Sequence, residues 1–182
     1  MAHERQLGSR LADGLRSIDR VRLLGPHGAR PSTTAHTADG PGGGVVETLP
    51  VAAFTIEGMH HALVAARLSA EYGVAVRHGC FCAHPYVVRL LGLADRHVEA
   101  YRSEVLQGDH RHVPGAVRAS AGLGTSGADI ESMLAAVADL AGGAPEPAPY
   151  EQDQASGDYF PVTDQPGWSG ASLEPGAACA RG

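Results

Sequence analysis

The sequence predicts an α/β fold, more narrowly an α+β layer in which a small mixed or antiparallel sheet carries helices packed on it. Three observations predict it. Short apolar runs alternate with amphipathic stretches as far as residue 142. Glycine and proline punctuate these segments at the positions where helices and strands must stop. The chain has 182 residues and is 43% hydrophobic, which suits one core at about 150 residues per domain.

The elements follow in order. Over residues 3–18, Leu7, Leu11, Leu15 and Ile18 fall on one helical face, with Arg and Asp opposite. Val21–Leu24 reads as a strand that Gly25-Pro26 ends; with the first helix it forms a linking segment, 1–25. Residues 26–44 are Gly, Pro, Ser, Thr and His, and read as a flexible linker. A domain over 45–142 comes next. In it Val51–Ile56 reads as a buried strand broken at Gly58, 59–72 as a helix with Gly73 at its C-terminal cap, and Val74–Val76 as a short strand. Residues 78–85 form a loop, and Pro85 can open a helix over 86–91. A charged helix follows over 95–106, then a strand over Val117–Ser120. Ser126 with Asp129 forms a capping box in Asp form, opening a helix whose Ile130, Met133, Leu134 and Val137 have core spacing and which Gly142-Gly143 ends. From 143 to 182, Pro, Gly, Ser and acidic residues predict a disordered tail.

All 14 basic residues are Arg, and there is no Lys. No residue can therefore form a Schiff base through a lysine amine. A net charge of −6 argues against a nucleic-acid or membrane-surface partner. No apolar run approaches the roughly 20 residues of a membrane span, the N-terminus has no apolar signal segment, and Cys80, Cys82 and Cys179 make no even disulfide framework. These features predict a cytoplasmic protein.

The densest chemistry lies in Val76-Arg77-His78-Gly79-Cys80-Phe81-Cys82-Ala83-His84-Pro85. The residues alone leave four readings: a metal site from alternating His78, Cys80, Cys82 and His84; a reactive thiolate beside Arg77 and two histidines; a Cys80–Cys82 disulfide; or ordinary small cysteines beside a turn, the simplest. His60 and His61 read as surface histidines at a helix start. His110 and His112 lie in a charged loop without a nameable partner.

The pattern V-R-x-G-x-x-C-A-x-P, which residues 76–85 fulfil, resembles the C-terminal domain of class V aminotransferases. This fold-type I pyridoxal-phosphate family includes the cysteine desulfurases and selenocysteine lyases. Other pieces occur in the family's order: His3-Glu4-Arg5 with Leu7, Val21–Pro26, Val51–Ile56 with Gly58, and Val117-Arg118-Ala119-Ser120 followed by Thr125, Ser126 and Asp129. The resemblance covers roughly 3–141, with 26–44 and 92–112 matching poorly.

The resemblance implies amino-transfer or desulfurase/lyase chemistry on an amino acid. Arg118 matches the arginine that holds the substrate α-carboxylate, a task suited to a planar guanidinium. Cys82 matches the catalytic cysteine that, in one branch of desulfurases, attacks substrate sulfur; Cys80 and Phe81 depart from that branch's usual residues. Arg77 is expected to position the loop or help bind substrate, with a structural salt bridge the equal alternative. The resemblance also places the Schiff-base lysine and the phosphate cup in a large domain N-terminal to everything seen here. The expectation is therefore a C-terminal small domain that does not bind pyridoxal phosphate alone and is inactive alone. Its expected partner is a large-domain chain or a second copy, with Leu7, Leu11 and Leu15 an apolar stripe left exposed or covered by a partner or the tail. The alternative is a non-catalytic interaction or metal/redox module built on the Cys80–Cys82 loop.

Overall fold

The computed structural model describes residues 2–25 and 49–162. The expected linker, 26–44, lies outside them, as do Trp168 and Cys179.

Helix α1 spans Ala2–Ser17 and turns at once into β1, Val21–Leu24. Strand β2 is Val51–Ile56, α2 is His61–Tyr72 and β3 is Arg77–Gly79. Two shorter helices follow, α3 at His84–Leu91 and α4 at Asp95–Leu106. Strand β4, Ala116–Ser120, and helix α5, Gly127–Ala141, complete the main layer. The strands form one antiparallel sheet in the order β1-β2-β4-β3. This is the small antiparallel sheet with packed helices that the sequence predicts.

The sheet has two different faces because side chains alternate along each strand. Leu23, Ala52, Phe54, Ile56, Val117 and Ala119 point to one face and are buried there against α1, α2 and α5. The expected wholly buried β2 instead alternates between buried and half-buried positions.

The leucine stripe of α1 is not exposed. Leu7, Leu11 and Leu15 are each at most 2% exposed and sit in this core with Ile130, Met133 and Val137 of α5. Each such burial contributes about 1.5–3 kcal/mol. The expectation of an uncovered stripe fails because α5 and the sheet of the same chain supply the apolar partners.

Local signals set most boundaries. The N–H of Gly73, at φ +67°, returns to the last carbonyls of α2, a backbone turn that costs glycine nothing. The Ser126–Asp129 capping box forms in both directions. The strand expected at Val74–Val76 lies instead at Arg77–Gly79. Val74 still donates its N–H to Leu68 at the end of α2, and pairing with β4 begins only at Arg77.

The tail expected from 143 also differs. Residues 150–152 and 159–161 form a hairpin, β5 (Tyr150–Gln152) paired with β6 (Tyr159–Pro161). Its root is held by Arg67 of α2, 2% exposed, which donates to the carbonyls of Ala144 and Pro145 and pairs with Glu71 at 2.7 Å. The Tyr150 hydroxyl donates to the same Glu71 carboxylate. One buried ion pair thus orders a segment too poor in apolar residues to order itself. Residues 163–182 lie outside the described residues.

Candidate functional site

The sheet face away from the core carries the residues singled out by sequence. Register places Arg118 of β4 directly across from Arg77 of β3, and Ala53 of β2 directly across on its other side. Side chains of directly paired residues share a face, with Cβ atoms about 4.5–5.5 Å apart. Two guanidinium stems therefore rise side by side. Among the described residues no carboxylate pairs with either. Like charges in this position are destabilising unless an anion lies between them. Arg118 also buries its Nε without a hydrogen-bond partner. A group with an unmet donor beside a second guanidinium is suited to a carboxylate or another oxyanion.

The cysteine loop covers this face from one side. The Cys80 carbonyl accepts from the Ala83 N–H at 2.8 Å, closing a tight turn with Phe81 and Cys82 at its centre. Both central residues have positive φ, +53° and +58°. Left-handed backbone costs a non-glycine residue about 1–2 kcal/mol. The turn aims the Phe81 ring at Arg118, whose guanidinium carbon lies 5.0 Å from the ring centre. Cys82, the next residue, is exposed, and Cys80 is half-buried; both thiols are free. The structure thus brings Arg118, Arg77 and the Cys82 loop to one side of the sheet.

The four alternating residues of the metal reading do not converge. His84 opens α3 and hydrogen-bonds the Tyr101 hydroxyl of α4, while His78 lies on β3 facing α2. Among the described residues no group of three or more His, Cys, Asp or Glu is placed to hold a metal ion. No described helix is long and apolar enough to cross a membrane.

Two features escaped the sequence. Phe81 appears there only as a departure from a motif; its role comes from the positive-φ turn. His60 and His61 are half-buried, not surface residues: His60 caps α2 by accepting from the Ala62 N–H, and His61 stacks on His78. The adjacent His60-His61 pair at a helix start was the visible signal, but nothing local announces His78 as the third ring.

No family model matches the sequence, and no curated protein matches it. Solved structures do. The apo structure of a cysteine desulfurase from Thermococcus onnurineus NA1 is similar with a TM-score of 0.52 and 25% identity, over 78% of this chain and 26% of that one. The fold is cysteine desulfurase-like. The cysteine desulfurase CsdA of Escherichia coli, in an S-sulfonic acid form, is similar with a TM-score of 0.46 and 23% identity, over 77% of this chain and 24% of that one. The chain spans about a quarter of the length of the desulfurases it matches.

Proposed function

We propose that this chain is the substrate-facing small domain of a cysteine desulfurase-like, class V aminotransferase-related enzyme acting on an amino acid. The observation that carries the reading is the Arg118–Arg77 pair on one sheet face, with the Arg118 Nε unsatisfied and Phe81 stacked on its guanidinium. Arg118 clamps the substrate α-carboxylate through two parallel hydrogen bonds, and Arg77 supplies the second positive charge. Phe81 restricts where the guanidinium can swing. Cys82 presents its thiol from the turn over the same face; as a nucleophile it must first lose its proton. The desulfurase-like fold supports this assignment, and the unusual Cys80-Phe81 pair leaves amino transfer and lyase chemistry as alternatives within it.

The residues present do not fit pyridoxal phosphate as a covalently held group, because none of the 14 basic residues is Lys. The cofactor therefore belongs to a lysine-bearing large domain outside this chain, carried by another chain or by a longer form of this one.

The test mixes the purified chain with a separately expressed, lysine-bearing desulfurase large domain. Alone with pyridoxal phosphate, L-cysteine and dithiothreitol, which reduces an enzyme persulfide to sulfide as it is oxidised to its own disulfide, the chain gives no sulfide. The mixture releases sulfide, Arg118→Ala lowers kcat/KM by about a hundredfold or more, roughly the loss of a charged bidentate contact, and Cys82→Ser abolishes release. Turnover by the chain alone, or a mixture indifferent to both substitutions, refutes the proposal.

A further inference from the structure

Three imidazoles from distant parts of the chain meet on the core side of β3. His60 caps α2, His61 begins it, and His78 lies on β3. The rings of His60 and His61 are 4.2 Å apart at their centres, and those of His61 and His78 are 5.4 Å apart and stacked. The hairpin β5–β6 closes over them. The Tyr159 ring lies 5.7 Å from His60, and Asp158 Oδ1 lies 3.3 Å from His78 Nε2.

The partners decide where each ring keeps its proton. His61 Nε2 lies 2.9 Å from the Val113 carbonyl, which can only accept, so Nε2 carries the hydrogen. The remaining basic nitrogen, Nδ1, is buried without a partner. His78 repeats the arrangement: Nε2 faces an accepting carboxylate and Nδ1 is buried and unpartnered. A proton taken up by His61 in the closed state thus lands on Nδ1, where no acceptor meets it, beside the other imidazoles. Such a charge is expensive to bury.

We propose that this stack is an acid-sensitive latch: proton uptake by His61 or His60 releases the 146–162 hairpin from α2, β3 and the 108–115 loop. The same hairpin is seated on that loop by backbone and side-chain contacts. The His110 N–H donates to the Gln154 carbonyl, Gln152 donates to the Arg111 carbonyl, and Gly157 passes so close that a Cβ there would lie 2.5 Å from the His110 oxygen. Release therefore frees loop and hairpin together and admits water to the stack.

The charged groups around the stack act in both directions. His112, which pairs with Glu104 of α4, adds positive charge toward His60. Asp158 is the carboxylate nearest the stack, at His78 Nε2. Burial first, and then the neighbouring imidazoles, hold the ring of His61 down at about 4, against the pull of the Val113 carbonyl; burial holds His60 down in the same sense. A histidine depressed in the closed state binds its proton more readily when open. The closed state is thus fully favoured above the ordinary histidine range and loses ground as pH falls from about 6.5 toward about 4.

Hydrogen exchange of the intact chain, corrected for intrinsic rates, tests this. On going from about pH 7.5 to about pH 5, hairpin protection falls about thirtyfold, the value a single proton with this shift produces, while β2 and β4 stay protected. His61→Gln, which keeps a donor for Val113, flattens that dependence. Because this variant could simply loosen the domain, the wild-type histidine ring signals are titrated by NMR in parallel, and one ring of the stack titrates below about pH 5. Hairpin protection that is unchanged with pH, or His60 and His61 both titrating near about 6.5, overturns the latch.

Discussion

The guanidinium of Arg118 lies over the ring of Phe81, with 5.0 Å between its carbon and the ring centre. Phe81 holds that place from a left-handed backbone, φ +53°. The loop therefore trades local strain for control of the arginine on the sheet face away from the main core.

This trade predicts an unusual order of substitutions at one position. Phe81→Ala loses the cation–π contact, worth about 0.5–1 kcal/mol at a partly exposed site, and keeps the strain. Phe81→Gly loses the same contact but removes the strain. Urea unfolding is expected to rank Phe81→Gly more stable than Phe81→Ala by about 1 kcal/mol, the reverse of the usual glycine penalty. The ordinary order, with Ala the more stable, would show that the turn is not strained.

Arg67 is expected to be the most sensitive charged residue of the described structure. At 2% exposure it pairs with Glu71, itself 10% exposed in its side chain, and donates to Ala144 and Pro145. Arg67→Met leaves a shielded carboxylate unpaired and should cost about 3–5 kcal/mol in urea unfolding. Arg67→Met with Glu71→Met should recover much of that loss, because the cost lies in the orphaned charge. A single substitution costing under about 1 kcal/mol would mean that water reaches Glu71 freely.

Alkaline pH is expected to loosen the same clamp from the other side. Burial, and then donation to the Glu71 carboxylate, push the Tyr150 hydroxyl up from 10.0 to about 12. A raised value in the folded state means that this contribution to stability is complete below about pH 10 and is lost as pH rises toward about 12. Tyrosinate absorbance should show a tyrosine titrating near about 12 that disappears in Tyr150→Phe, while Tyr72, also pushed up by burial, stays late. The variant should also lose the part of the alkaline destabilisation that Tyr150 causes. Tyr150 titrating with ordinary tyrosines would remove its hydroxyl from the clamp.

Much of the fold was written locally. The leucine spacing of α1, the bounds of β1 and β2, the glycine after α2, the proline in the first turn of α3 and the capping box of α5 each act within a few residues of chain. Arg118, Arg77 and Cys82 were also legible as candidates, because a motif is a local pattern. Their shared sheet face was not legible, since the register of β3 on β4 depends on which face of each strand the core claims.

The sequence by itself determined the class of fold, the absence of any lysine and the short segment that bears the thiols. Tertiary structure alone decided the rest. It buried the α1 leucines against α5, set Phe81 on Arg118, gathered three histidines into one stack and folded 143–162 onto Arg67 and Glu71. The reason is physical: apolar spacing and caps act over one or two turns of chain, whereas burial of charge, ring stacking and hairpin docking depend on groups dozens of residues apart that meet only when the core closes.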